Sequence, residues 1–128
     1  MSSDTFHNQV NRYFAAIRAL DVEAWLATFA EGAVSEDPYG SPPHEGKAAL
    51  GQFFNGLASA FESVDMRADH IFISGNAAAV KFTIAGKGKN GRDVKAEGIE
   101  VFEFDEEGLI KRIRAYWNPA AMIAELQS

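Results

Sequence analysis

The sequence predicts an α+β fold with helices on one face of a curved, antiparallel sheet. Two textures carry that prediction. As far as Phe61, apolar residues recur at helical spacing. Beyond Phe61, β-branched and aromatic segments alternate with turn signals. Helices first and strands after is the order of an α+β domain. Length sets the scale: 128 residues, 47% of them apolar, suit one domain over residues 1–128. A chain of this size buries roughly two thirds of its unfolded surface.

Each element has its own justification. Phe6, Val10, Tyr13, Phe14, Ile17 and Leu20 form a helical stripe over about 5–20, with Asp4 and Thr5 as candidate caps. In "LDVEAWLATFAEG", Asp21 is the expected N-cap of a second helix. Val22, Trp25, Leu26 and Phe29 make its stripe and Gly32 its stop. A short strand and a rigid turn, "VSEDPYGSPPHEG", follow. Lys47 to Phe61 reads as a third helix burying Leu50, Phe53, Phe54, Leu57 and Phe61. Then come "MRADHIFIS", "AAAVKFTIAGKG", "RDVKAEGIEVFEFD" and "LIKRIRAYW". Gly75-Asn76, Asn90-Gly91 and Glu107-Gly108 separate them, which predicts a four-strand meander. "NPAAMIAEL" restarts a helix, with Asn118 as cap and Pro119 first inside.

Composition narrows the function. A net charge of −6 argues against nucleic acid or an anionic membrane as the main partner. There is no cysteine, so disulfides, thiolate nucleophiles and Cys-bound metals are excluded. No apolar run is long enough to span a bilayer. The opening "MSSDTFHNQV" has neither a basic nor an apolar signal region, so a cytoplasmic protein is the expectation. His7, His44 and His70 share no metal-ligand spacing, and neither a metal nor a cofactor is expected. Ten Phe, three Tyr and two Trp can shape a pocket for a flat apolar ligand.

Three residues carry candidate chemistry. Pro38 forces Asp37 into an extended conformation among apolar or stiff neighbours, Tyr39, Pro42 and Pro43. A carboxylate that loses hydration there gains basicity. The plain alternative is ordinary Asp-Pro turn chemistry, with Glu36 a solvated neighbour. Glu100 shares strand parity with Val94, Ala96, Gly98, Phe102 and Phe104, so alternation places it on the apolar face. There it is protonated, paired or functional. A bulge could instead turn it outward, or Arg112 or Arg114 could pair with it. Tyr13 sits on an apolar stripe, as core or as a phenolic donor facing a pocket. Tyr116 and Trp117 end the last strand, as core or as the lining of a pocket mouth.

These residues join in a resemblance. Arg12 to Phe54 and Gly98 to Trp117 resemble the bacterial ketosteroid isomerases, within the nuclear transport factor two-like class. The two blocks cover roughly half the chain. The pattern is an "RY" pair on the first helix, an "EDP.G..P" turn and an acid before an aromatic-rich strand. It falls on Tyr13, Asp37 and Glu100. The resemblance implies a cone: a strongly curved, mostly antiparallel sheet whose N-terminal helices cap a deep apolar pocket. It implies that Asp37 moves a proton along a β,γ-unsaturated ketone such as a 3-oxo-Δ5-steroid. Tyr13 and a protonated Glu100 would hold the dienolate oxygen. Phe54, Phe29, Tyr39, Phe102 and Trp117 would line the substrate pocket, and the chain would form a homodimer. Glu100 replaces the family's aspartic acid. Phe54 and Phe29 stand where tyrosines support the catalytic one, and Tyr39 replaces a smaller group. Two other readings remain: a dehydratase, cyclase or epoxide hydrolase on the same cone, or a non-catalytic binding module for small apolar molecules.

Overall fold

The computed structural model describes residues 2–128. Helix α1 spans Ser3–Arg18, and the Ser2 side chain, rather than Asp4 or Thr5, caps it by accepting from the Thr5 N–H. The expected stripe faces inward, with Phe6, Val10, Tyr13 and Phe14 all buried. Helix α2 is only Val22–Leu26, capped as expected by Asp21. It does not run on to Gly32. Phe29 already belongs to strand β1, Phe29–Glu36. The Thr28 hydroxyl donates to the Trp25 carbonyl at 2.7 Å, and the Thr28 carbonyl accepts from the Ile110 N–H. Those two bonds end the helix and start sheet pairing. Gly32, at φ 72°, sits inside a register shift of β1, where a residue without Cβ is favoured.

Strand β2, His44–Glu45, pairs antiparallel with β1. Helix α3 is Gly46–Ala58, three residues shorter at its end than the apolar stripe suggests. Ser59 and Ala60 turn the chain, and Phe61 opens β3, Phe61–Ser74. The meander follows with β4, Ala77–Gly88, β5, Asp93–Phe104, and β6, Ile110–Tyr116. Helix α4, Ala120–Leu126, closes the chain. Pro119 is its N-cap residue, and the Asn118 side chain accepts the Ala120 N–H.

The sheet order is β2-β1-β6-β5-β4-β3. All neighbours are antiparallel except β1 and β6, which run parallel. Register shifts at Ala68/His70 and Glu103/Phe104 interrupt the ladders, the device by which long strands bend. Helices and sheet enclose one core built around Phe14, Phe29, Phe82, Phe102, Phe104, Leu50, Ile110 and Ile113. The fold is therefore the α+β arrangement expected, a curved sheet with helices on it. Among the described residues no helix is long and apolar enough to cross a membrane.

Candidate active site

Helices α1, α2 and α3 close over one end of the sheet and leave a cavity of about 600 Å³, counted out to its mouth. Its wall is apolar, with Leu57, Phe61, Met66, Ile84 and Met122 among its residues. Four side chains on it carry polar atoms able to hydrogen-bond through N–H or O–H or to ionise: Tyr13, Trp25, Asp37 and Trp117.

Asp37 follows β1 directly, and the Tyr39 N–H, bonded to the Ala115 carbonyl at 2.7 Å, ties the turn to β6. The Trp117 indole Nε1–H donates to Asp37 Oδ1 at 2.6 Å. Burial pushes the Asp37 carboxyl up to about 6, and the Trp117 bond opposes that push. This is the desolvated carboxylate that the rigid turn implied.

Glu100 is 1% exposed and faces the core. It lies opposite Val80 on β4 and Ala115 on β6, with regular pairing on both sides. No bulge turns it outward. Arg112 and Arg114 do not reach it, because they occupy the other face. There Arg112 pairs with Glu36, and Arg114 contacts Glu103 at 3.5 Å. Glu36 is thus a paired residue of the outer face and not merely a solvated neighbour. Tyr13 Oη donates to Glu100 Oε2 at 3.1 Å, while Glu100 Oε1 has no partner. Burial first, and the Asp37 charge second, raise the Glu100 carboxyl well above the ordinary glutamate range; the Tyr13 bond works against them. Tyr13 is likewise raised well above 10 by burial, then by the charges of Glu100 and Asp37. Tyr13 and Glu100 therefore each feel the other and the Asp37 charge across a low-dielectric interior.

The structure puts the five expected pocket residues in three places. Phe54 and Trp117 lie on the cavity wall. Phe102 and Phe29 stand beside Tyr13, edge-on at 5.0 and 6.1 Å between ring centroids, both fully buried and off the wall. Tyr39 is 54% exposed and leans, tilted, against Tyr116 outside the cavity. Glu100 too is off the wall, reached through Tyr13. Sequence reasoning missed Trp25 as a site residue and missed the bond from Trp117 to Asp37. Trp25 was visible as a stripe residue, and nothing in the spacing marks its N–H. Among the described residues no group of three or more His, Cys, Asp or Glu is placed to hold a metal ion.

Residues 10–113 match the SnoaL-like domain family. The chain is 33% identical over 114 residues to a steroid Δ-isomerase of Nocardioides simplex, covering 89% of this chain and 90% of that protein. Among solved structures, the epoxide hydrolase/cyclase-like enzyme SalBIII, of pyran ring formation in salinomycin, superposes with a TM-score of 0.83. Its identity is 28%, over 93% of this chain and 95% of that one. RV0760c from Mycobacterium tuberculosis, in complex with estradiol-17β-hemisuccinate, gives 0.80 at 25% identity, over 89% of this chain and 94% of that one. The chain belongs to the SnoaL-like domain family, whose cone it shares, and is a relative of a steroid Δ-isomerase.

Proposed function

We propose that the protein is an isomerase that moves the double bond of a 3-oxo-Δ5-steroid, or a similar β,γ-unsaturated ketone, into conjugation. The observation that carries this reading is a desolvated carboxylate on the wall of an apolar cavity that also exposes Tyr13, itself hydrogen-bonded to a buried acid. Asp37 takes a proton from the carbon between the carbonyl and the double bond. The electron pair runs into the carbonyl and gives a dienolate. Asp37 then returns the proton to the far carbon of the diene, two carbons along, and the enone forms. No co-reactant is needed. With its carboxyl at about 6, Asp37 is mostly ionised at neutral pH and close enough to it to act as a general base.

Tyr13 donates to the dienolate oxygen. Its own oxygen then accepts from the protonated Glu100, so that charge spreads over two donors in a dry site. In the structure the bond runs the other way, from Tyr13 to Glu100 Oε2. A hydroxyl can rotate between these arrangements at little cost.

Epoxide opening or cyclisation is the second reading, favoured by the likeness to SalBIII. Such chemistry wants an acid in direct reach of the ligand oxygen. Those reactions also call for several polar groups on the wall, and the wall here is mostly apolar, which supports the isomerase instead. The test is to mix the protein with 5-androstene-3,17-dione and follow the ultraviolet absorbance of the conjugated enone, with Asp37→Asn in parallel. Conversion by the wild type and background conversion by the variant are expected. No conversion by either removes the steroid isomerase reading.

The expected homodimer belongs here as well. Ile99 and Tyr116, paired across β5 and β6, are each 45% exposed, and Phe72 is 71% exposed. A second copy on this sheet face would cover them; light scattering after gel filtration decides it.

A further inference from the structure

Four aromatic rings pack against Tyr13: Phe14, Trp25, Phe29 and Phe102. Trp25 alone among them carries a polar hydrogen. Its indole is 2% exposed, lies on the cavity wall and is tilted against Tyr13 with 5.8 Å between ring centroids. Phe29 and Phe54, at 4.7 and 4.9 Å, hold it from two sides. Among the described residues its Nε1–H has no hydrogen-bond partner. A buried donor left unmade is costly, and an orphan of this kind calls for an explanation. Nothing else in the fold uses it.

We propose that Trp25 is a positioning residue for Tyr13: its indole N–H donates to the phenolic oxygen when a ligand oxygen draws the Tyr13 proton away from Glu100. In the structure the indole lies near enough to the phenol to favour its ionised form, although the geometry falls short of a formed hydrogen bond. Once Tyr13 donates to a ligand, its oxygen gains negative charge and becomes the better acceptor. The Trp25 bond then forms, and with Glu100 on the other side it leaves the phenol a single direction in which to point. The indole thus stores an unmade bond that the bound state completes, the kind of interaction that favours the transition state over the free enzyme. Phe54 and Phe29 offer no donor, so this duty falls on Trp25.

The inference rests on the site proposed above and extends it to a residue that touches Tyr13. Its test does not depend on turnover. Trp25 is replaced, by site-specific incorporation, with the benzothienyl analogue of tryptophan, which keeps the ring shape and loses only the N–H. The Tyr13 ζ-carbon resonance, labelled with carbon-13, is recorded in the free protein and with saturating estradiol, a phenolic steroid. The resonance should move on binding in the wild type and move measurably less in the analogue. Where the isomerase assay is positive, kcat should fall about tenfold, the effect of one hydrogen bond to a partly charged acceptor, with KM within about twofold. Identical Tyr13 resonances in the two proteins, bound and free, overturn the proposal. So does weaker estradiol binding with an unchanged Tyr13 resonance, which would mean that the indole bonds the ligand directly. A wild type that shows the Tyr13 effect but converts no steroid ketone would leave Trp25 in this role and sink the isomerase reading alone.

Discussion

Trp117 donates its indole N–H to Asp37 Oδ1 at 2.6 Å, across 80 positions of sequence. The bond joins the end of β6 to the turn after β1, and it restrains the basicity that burial gives the carboxylate. Burial alone would carry Asp37 higher than about 6; the Trp117 donor holds it down by favouring the ionised form.

Trp117→Phe therefore should raise the Asp37 pKa further and narrow the pH range in which it is a base. The acid limb of log kcat/KM against pH reports the free enzyme's base. It should lie near 6 in the wild type, where Asp37 titrates, and move upward in the variant. Above the shifted limb, the variant's rate should recover most of its loss. A limb that stays in place would mean that the bond does not set the basicity of Asp37.

The same displaced pKa makes a stability prediction with a definite sign. Asp37 is raised from 3.8 to about 6, so the folded state holds this proton more tightly than the unfolded chain does. That contribution is complete below the unfolded value and is lost as pH rises through the folded one. At neutral pH the half-buried carboxylate costs at most on the order of 3 kcal/mol. Asp37→Asn should accordingly abolish isomerisation and raise the midpoint of thermal unfolding at pH 7.5. Near pH 4 the gain should shrink to almost nothing. Differential scanning fluorimetry across that range checks it, and an equal Tm difference at both ends would contradict it.

Tyr13 and Glu100 depend on each other. Glu100 Oε1 has no partner and Oε2 has only Tyr13, so Tyr13→Phe strips a buried carboxyl of its one hydrogen bond. The expected loss of stability is about 1–3 kcal/mol. The rate should fall roughly 10²–10³-fold, the usual consequence of removing an oxyanion donor. With the lost bond acting on the dienolate, as proposed, kcat and kcat/KM should drop together. A rise in KM at constant kcat would place Tyr13 in ground-state binding instead.

Part of this site was legible before any coordinates. Strand parity alone put Glu100 among phenylalanines, because alternation leaves an inward residue little choice. Pro38 and the stiff turn around it marked Asp37 for the same kind of reason: local geometry governs both. What stayed hidden depends on distant pairing. The partner of Asp37 arrives from β6, and Glu36 meets Arg112 only because β1 and β6 run parallel. Phe29 was misplaced in a helix because periods of 3.6 and 2 coincide over a few residues, so the Thr28 and Ile110 pairing settled the matter. The family resemblance put Tyr39 in the pocket, but the backbone bond to Ala115 fixes the turn and its ring lies outside against Tyr116.

Gly98 should prove as important to Asp37 as Trp117 is. It lies opposite Phe82 and shares inward parity with Glu100. A Cβ there would stand 2.5 Å from the Trp117 Cβ, 2.6 Å from the Tyr116 carbonyl oxygen and 3.0 Å from the Phe82 ring. Two of those three atoms belong to the chain segment that carries the indole, so the segment has to shift. Gly98→Ala is expected to cost about 1–3 kcal/mol from overpacking and to pull Trp117 away from Asp37. The acid limb of the rate profile should then rise as it does in Trp117→Phe. The double variant separates this route from a general loosening. If Gly98→Ala acts through the indole, adding Trp117→Phe moves the limb no further, because the bond is already gone. Additive shifts would show that Gly98 acts on the base by another path.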